Sequence, residues 1–295
     1  MTSPRDYFEQ LAWRRYKGVL GVHRIDALEG GPVLGIGIAT HGNEIEGLAA
    51  FASLPKLVRG SVVLVLCNLE AVTRHFCAEE SVRYIDTNMN RLPSSLNSSA
   101  SEVVRARELL PVLESFDYGM DIHSTPGPSE PMSLNVRGEG LSLVPTIPIQ
   151  IDGMLEHQAG VPLSSLFGGK SVVGVEAGQQ GTEQAWEDAQ RIFETTLAVL
   201  GMADEEPPPS VEKSHYQILQ PIYFPNPTYR FFPRLLTGTF SSLREGTYPK
   251  VKKGAPIAYG EGTTLRAPDD GVLLFPRRKV SDLTDEAAFL ARFNS

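Results

Sequence analysis

Residues 33–47 read VLGIGIATHGNEIEG. The first eight are apolar on both alternating faces, the pattern of a strand covered on both sides. Polarity then changes abruptly, with His41, Gly42, Asn43 and Glu44 in succession. Three more runs share the apolar, β-branched texture: SVVLVLCN at 61–68, YGMDIHST at 118–125 and SVVGVEAG at 171–178. Helical patterns lie between them. EIEGLAAFASLPKLV opens at Glu44, SEVVRARELL opens near Ser101, and a long amphipathic stretch runs from Thr182 to Gly201, a helix-stopping glycine. Strand alternating with helix predicts an α/β fold: a mixed, mainly parallel sheet with helices on both faces. LPSSLNSSAS at 92–101 reads as a surface loop, and 126–170 shows no pattern that assigns its elements.

The texture changes after ADEEPPPSVEK at 203–213, where acids and three prolines make a stiff, exposed stretch. This divides the chain into an α/β catalytic domain at 1–203, a linker at 204–210 and a C-terminal β domain at 211–295. Residues 248–277 alternate short apolar runs with Gly and Pro turns, as in lipoyl or barrel-sandwich domains. Such a domain would carry a modified lysine at a hairpin tip. Here the tip reads Pro268-Asp269-Asp270-Gly271, so a fixed lid or packing role is expected instead.

The chain has 295 residues, 41% of them hydrophobic and 21% charged, enough for a sizeable core. A net charge of -8 argues against a nucleic-acid partner, which needs clustered Lys and Arg. No apolar run is long enough to cross a bilayer, and the N-terminus lacks the apolar core of a secretory signal. Two cysteines make no disulfide framework. A cytoplasmic protein is expected, with no membrane partner and with room for homo-oligomers.

Of the six histidines, His41 and His123 stand at the C-terminal ends of expected buried strands. Ligands of open α/β sheets bind at that edge. His41 and Glu44 can converge across a tight turn at Gly42, and His123 is the natural third partner. Two His and one Glu is the ligand set of a catalytic zinc with an open fourth position. On its own, the His41–Glu44 pair is equally consistent with a strand-end histidine and a helix-first-turn acid. Asp121 shares a strand face with His123 and can fix its tautomer, or can pair with an arginine. Glu176 ends the fourth apolar run, where an acid is costly unless paired or working, and a general base is one such use. Asn90 and Arg91 can together grip a carboxylate.

These residues fall in five ordered segments: THGNEIEG (40–47), CNLEA (67–71), RYIDTNMNR (83–91), DIHST (121–125) and VEAGQQG (175–181). Together they resemble the aspartoacylase and succinylglutamate desuccinylase family, within the zinc carboxypeptidase fold group. The resemblance covers most of residues 33–200. It implies one Zn2+ per chain on His41, Glu44 and His123, with Glu176 as general base and proton shuttle. It implies Asn90 and Arg91 on the substrate carboxylate, and a small N-acyl amino acid as substrate. It also implies a C-terminal β domain. One position departs: where aspartoacylases often carry an arginine that polarises the scissile carbonyl, this chain has Glu70. That disfavours N-acetylaspartate and leaves Arg74 or Arg83 to supply the charge. A peptide-cleaving metallocarboxypeptidase or amidase, and a non-catalytic binding protein, are the rival readings.

Overall fold

The computed structural model describes residues 3–78, 81–236, 249–277 and 286–294. The stretches 237–248 and 278–285 of the expected β domain lie outside them. Among the described residues, one sheet takes eleven strands. In chain order these are β1 Val22–Asp26, β2 Glu29–Ile38, β3 Arg59–Leu66, β4 Tyr118–Thr125, β5 Met132–Arg137, β6 Ile149–Asp152, β7 Ser171–Gln179, β8 Ser214–Ile222, β9 Lys250–Val251, β10 Gly271–Leu274 and β11 Ala288–Asn294. Across the sheet the order is β9-β10-β11-β8-β6-β5-β7-β4-β2-β3-β1.

The four apolar runs are β2, β3, β4 and β7, and they sit side by side in parallel. Outside them the sheet is mixed: β1 joins β3 and β5 joins β7 antiparallel, while β6 pairs in parallel with β5 and β8. Their alternating side chains feed two cores. Leu34, Ile36 and Ile38 of β2 meet Phe8 and Leu11 of helix α1 (Pro4–Ala12), and Ile192 and Phe193 of a long helix, Glu183–Val199. That helix is capped by Thr182, whose hydroxyl accepts from Ala185 N, as the sequence leads one to expect. Val63 and Val65 of β3 point the other way, toward Val103, Leu109 and Val112 of the helix Ser101–Leu113. Helices therefore cover both faces, as a parallel sheet requires.

The chain leaves β2 for β3 on one side and pairs with β4 on the other. Such a change of direction opens a crevice at the C-terminal ends of the strands. The expected helix from Glu44 is much shorter than its pattern suggests. A 3-10 turn covers Glu46–Leu48 and an α-helical turn Ala49–Ala52, so Glu44 lies in the connecting turn. Pro55 disfavours helix at the residue before it, and Glu46 is turned inward.

Residues 204–210 are largely exposed and carry no regular element. Beyond them β8 joins the same sheet, pairing in parallel with β6, and β11 and β10 extend it antiparallel. A separate small sheet combines Arg230–Phe231, Pro256–Gly260 and Thr263–Arg266. Asp270 at the expected hairpin tip takes hydrogen bonds from Lys252 Nζ (2.8 Å) and Lys253 N (2.7 Å), which closes the turn. The long segment 126–170 holds β5 and β6.

Candidate metal centre and catalytic site

The end of β2 is bent by Ala39, whose φ of 53° is left-handed. That geometry costs a residue with a Cβ about 1–2 kcal/mol. It is held by Asn68 N, which donates to the Ala39 carbonyl at 3.1 Å. The bend sends Thr40 to Asp121 (Oγ1 to Oδ1, 2.8 Å) and His41 into the crevice. Gly42 follows because no side chain fits: a Cβ there would lie 2.4 Å from the Ala71 carbonyl carbon. Its N–H donates to the Arg83 carbonyl at 2.8 Å, tying this turn to the strand-free segment that carries Arg83. The tight turn expected at Gly42 is thus packed against Ala71.

His41, Glu44 and His123 are all buried, and their ligating atoms lie within 4.8 Å of one another. Glu44 stands between the two rings, with Oε1 2.9 Å from His41 Nδ1 and Oε2 2.7 Å from His123 Nδ1. The outer nitrogens are held from behind. His123 Nε2 lies 3.0 Å from Asp121 Oδ2, and His41 Nε2 3.0 Å from Asn88 Oδ1. Both Nδ1 atoms thereby face inward toward Glu44, and the buried His41 Nδ1, although 2.9 Å from Glu44 Oε1, lacks hydrogen-bond geometry to it. Two inward-facing imidazole nitrogens on either side of a carboxylate fit a metal ion, and the outer partners fix ring orientation as they do at metal sites.

The charges fit the same use. Burial and the neighbouring Arg83 push His41 down to about 4, so its ring is neutral and its lone pair free. Burial alone would raise Glu44, but His41, Arg83 and His123 hold it well below the usual carboxylate range. Burial opposes charge on His123, yet Asp121 and Glu44 outweigh it and raise its pKa well above the ordinary value. A metal must displace that proton, because only neutral imidazole ligates. The expected outcome is metal affinity that rises with pH, about tenfold per unit below the His123 pKa. Competition titrations at pH 6, 7 and 8 check this, and a pH-independent affinity contradicts it.

Glu176 stands opposite His123 in the register of β4 and β7. Burial pushes its carboxyl up to about 8; His123 works against that and the Glu44 charge adds to it. Its Oε2 is buried with no partner. A carboxyl with a free oxygen and a pKa near neutrality suits proton transfer.

Of the remaining residues, Asn90 comes in: its Nδ2 lies 3.5 Å from His123 Nε2. Arg91 is turned to Glu286, with Nε 3.1 Å and Nη2 2.5 Å from the two carboxylate oxygens. Glu70 points away from the crevice, is exposed, and pairs with Arg74 Nη2 at 2.6 Å. That pair turns both residues to solvent, and of the two arginines only Arg83 reaches Glu44 and His41. The Arg83 Nη1 is 2.5 Å from Glu44 Oε1 and its Nη2 3.1 Å from His41 Nε2.

In the segment 83–91 the sequence singles out Asn90 and Arg91, offers Arg83 only as a substitute charge, and gives no signal for Asn88. Glu102 gave no signal at all. This fully buried carboxylate, on the Ser101–Leu113 helix, accepts from Ile85 N (2.6 Å), Asp86 N (3.0 Å), Thr87 N (3.0 Å) and Asn68 Nδ2 (3.1 Å). It pins the loop between Arg83 and Asn88. Glu102→Gln would turn an amide NH2 toward some of those donors. It is expected to cost about 1–3 kcal/mol of stability, measured by urea unfolding. A loss below 0.5 kcal/mol would remove Glu102 from this role. Glu46 does the same for the 179–181 loop, accepting from Ser124 Oγ and Gly181 N, each at 2.6 Å.

No family model and no curated protein matches the chain in sequence. Solved structures do. Succinylglutamate desuccinylase from Vibrio cholerae superposes with a TM-score of 0.67 at 16% identity, over 92% of this chain and 85% of that one. The succinylglutamate desuccinylase/aspartoacylase from Rhodobacter sphaeroides gives 0.65 at 14% identity, over 93% and 89%. Murine aminoacylase 3 gives 0.63 at 19% identity, over 91% and 97%. No helix among the described residues is long and apolar enough to cross a membrane. The likeness read from the five segments is borne out by the architecture: along nearly its whole described length the chain has the fold of succinylglutamate desuccinylase/aspartoacylase family proteins.

Proposed function

We propose that the protein is a zinc-dependent amidohydrolase that removes the acyl group from a small N-acyl amino compound. The observation that carries this reading is the meeting of His41, Glu44 and His123 with an unpartnered Glu176 oxygen at one end of the sheet. A zinc ion held by those three residues would supply positive charge that polarises a carbonyl and makes a water more acidic. Glu176 takes the proton of the attacking water and returns it to the departing amine, a task for a carboxyl whose pKa lies near the working pH. Arg83 presents a guanidinium beside Glu44, where it can hold charge that develops on the acyl oxygen. Asp121 and Asn88 keep the two rings in place. Asn90 offers its amide beside His123 for orienting the substrate. The neighbouring structures include proteins named for deacylation, which agrees with the proposal without choosing the acyl group. Amine release by the zinc-loaded protein, screened over N-acyl amino acids, their amides and short peptides, tests it. Release from at least one class is the expected result, and no release from any of them counts against the proposal.

A further inference from the structure

Strand β7 does not run regularly past Glu176. His123 of β4 faces Glu176, but Thr125 faces Gln179, so two steps along β4 match three along β7. The extra length is taken up at Ala177 and Gly178, where Gly178 adopts a φ of 122° that strains any residue with a Cβ. A bulge of this kind bends its strand and re-aims the side chains beside it. The direction of the Glu176 carboxyl therefore depends on what holds the far side of the bulge.

Three hydrogen bonds hold it. Gln180 N donates to the Thr125 carbonyl at 2.9 Å, which resumes contact with β4. Gln180 Nε2 donates to the Asn43 carbonyl at 2.5 Å, and Gly181 N to Glu46 Oε1 at 2.6 Å. These last two reach the turn that carries Glu44. The second Glu46 oxygen accepts from the hydroxyl of Ser124, the residue after His123, at 2.6 Å. One side chain thus joins the turn of Glu44, the strand of His123 and the loop that follows Glu176. It is 2% exposed, and among the described residues no lysine or arginine pairs with it. Burying an acid without a cation is costly, and the nearby Glu44 charge adds to the cost. Filling the space alone would need no acid.

We propose that Glu46 is a positioning residue for the reaction: by clipping the 179–181 loop to the Glu44 turn, it fixes the bulge that aims the Glu176 carboxyl into the crevice. This rests on the hydrolase reading above. The clip needs from residue 46 an acceptor for Gly181 N and a polar partner for Ser124. Glutamine supplies both, because its oxygen can accept from Gly181 N while its amide donates to Ser124 Oγ. Leucine fills the space and supplies neither.

The test measures kcat, KM and zinc content of zinc-loaded variants on a cleaved N-acyl substrate. Glu46→Leu is expected to lower kcat by about 10–100-fold, the cost of a small misplacement, with KM within about threefold and zinc content unchanged. Glu46→Gln should rescue kcat to within about threefold of wild type. In a Glu176→Gln background, Glu46→Leu should cost nothing further, because groups that act as one unit are not additive. A readout independent of activity is the 13C NMR signal of the Glu176 carboxyl carbon, assigned by its loss in Glu176→Gln. It should move in Glu46→Leu and stay in Glu46→Gln. Gln180→Ala cuts the other clip at a half-exposed position, should show the same split at smaller size, and stands in if Glu46→Leu does not fold. An unmoved Glu176 signal or an unchanged kcat in the folded variant overturns the inference. So does a further loss in the Glu176→Gln background, a fall in zinc content, or a Glu46→Gln variant as poor as Glu46→Leu. A Glu176 signal that moves as expected in a protein that cleaves no substrate leaves the clip standing and counts against the hydrolase reading.

Discussion

Glu176→Gln is expected to lower turnover by about 10²–10⁴-fold, the usual worth of a positioned acid–base group, while zinc content stays at the wild-type level. The substitution keeps the size of the side chain and removes its ability to accept and return a proton. Glu176 is not one of the three residues whose ligating atoms converge, so the metal should remain. Nor should folding suffer: burial pushes the carboxyl up to about 8, so near neutral pH the metal-free protein already holds it largely uncharged. An amide in that place keeps an oxygen and the neutral charge. Turnover within threefold of wild type would remove Glu176 from the chemistry. A fall in turnover accompanied by loss of metal would mean that Glu176 supports the cluster instead.

His41→Ala should abolish zinc binding at micromolar protein, and activity with it. The three donors are all buried, and each of the other two already leans on a charged neighbour. Taking away one imidazole leaves a carboxylate and one ring, too few for a tight site. Asn88→Ala gives the contrasting case. Asn88 meets His41 only at its far nitrogen, while also capping Asn90 N at 2.8 Å, and loss of such an outer partner typically costs about 10–100-fold in metal affinity or activity. Metal content by elemental analysis separates the two variants. Full zinc occupancy in His41→Ala would reject that ligand, and equal losses in both would mean that Asn88 does more than orient the ring.

Much of this fold is legible in the sequence because its centre follows simple rules. Strands β2, β3, β4 and β7 are buried on both faces, so each is written as an apolar run, and His41, His123 and Glu176 stand at or near the C-terminal ends of three of them. Those three are legible by that logic, and Asp121 by sharing a strand face with His123. The outer strands were harder. β5 and β6 are short and half-exposed in places, and β6 gains its partner β8 from a segment more than sixty residues later. No local pattern announces such a pairing. The same limit hid Glu286, which sits 195 residues from Arg91 in the chain. Arg91 was assigned to a substrate carboxylate from its neighbours in sequence. In the fold, its ion pair is already filled from the other end of the molecule. Glu70 misled for a different reason. An acid at the first turn of a helix can point into the crevice or out to solvent, and only the orientation of that helix places it outside with Arg74.

Zinc titration of the chelator-treated protein, followed by amine release from a cleaved N-acyl substrate, puts the whole arrangement to the test at once. Activity that climbs linearly and breaks at one zinc per chain, and that His123→Ala cannot regain, is the predicted result. Amine release that survives chelation, or that zinc restores equally well to His123→Ala, would contradict it.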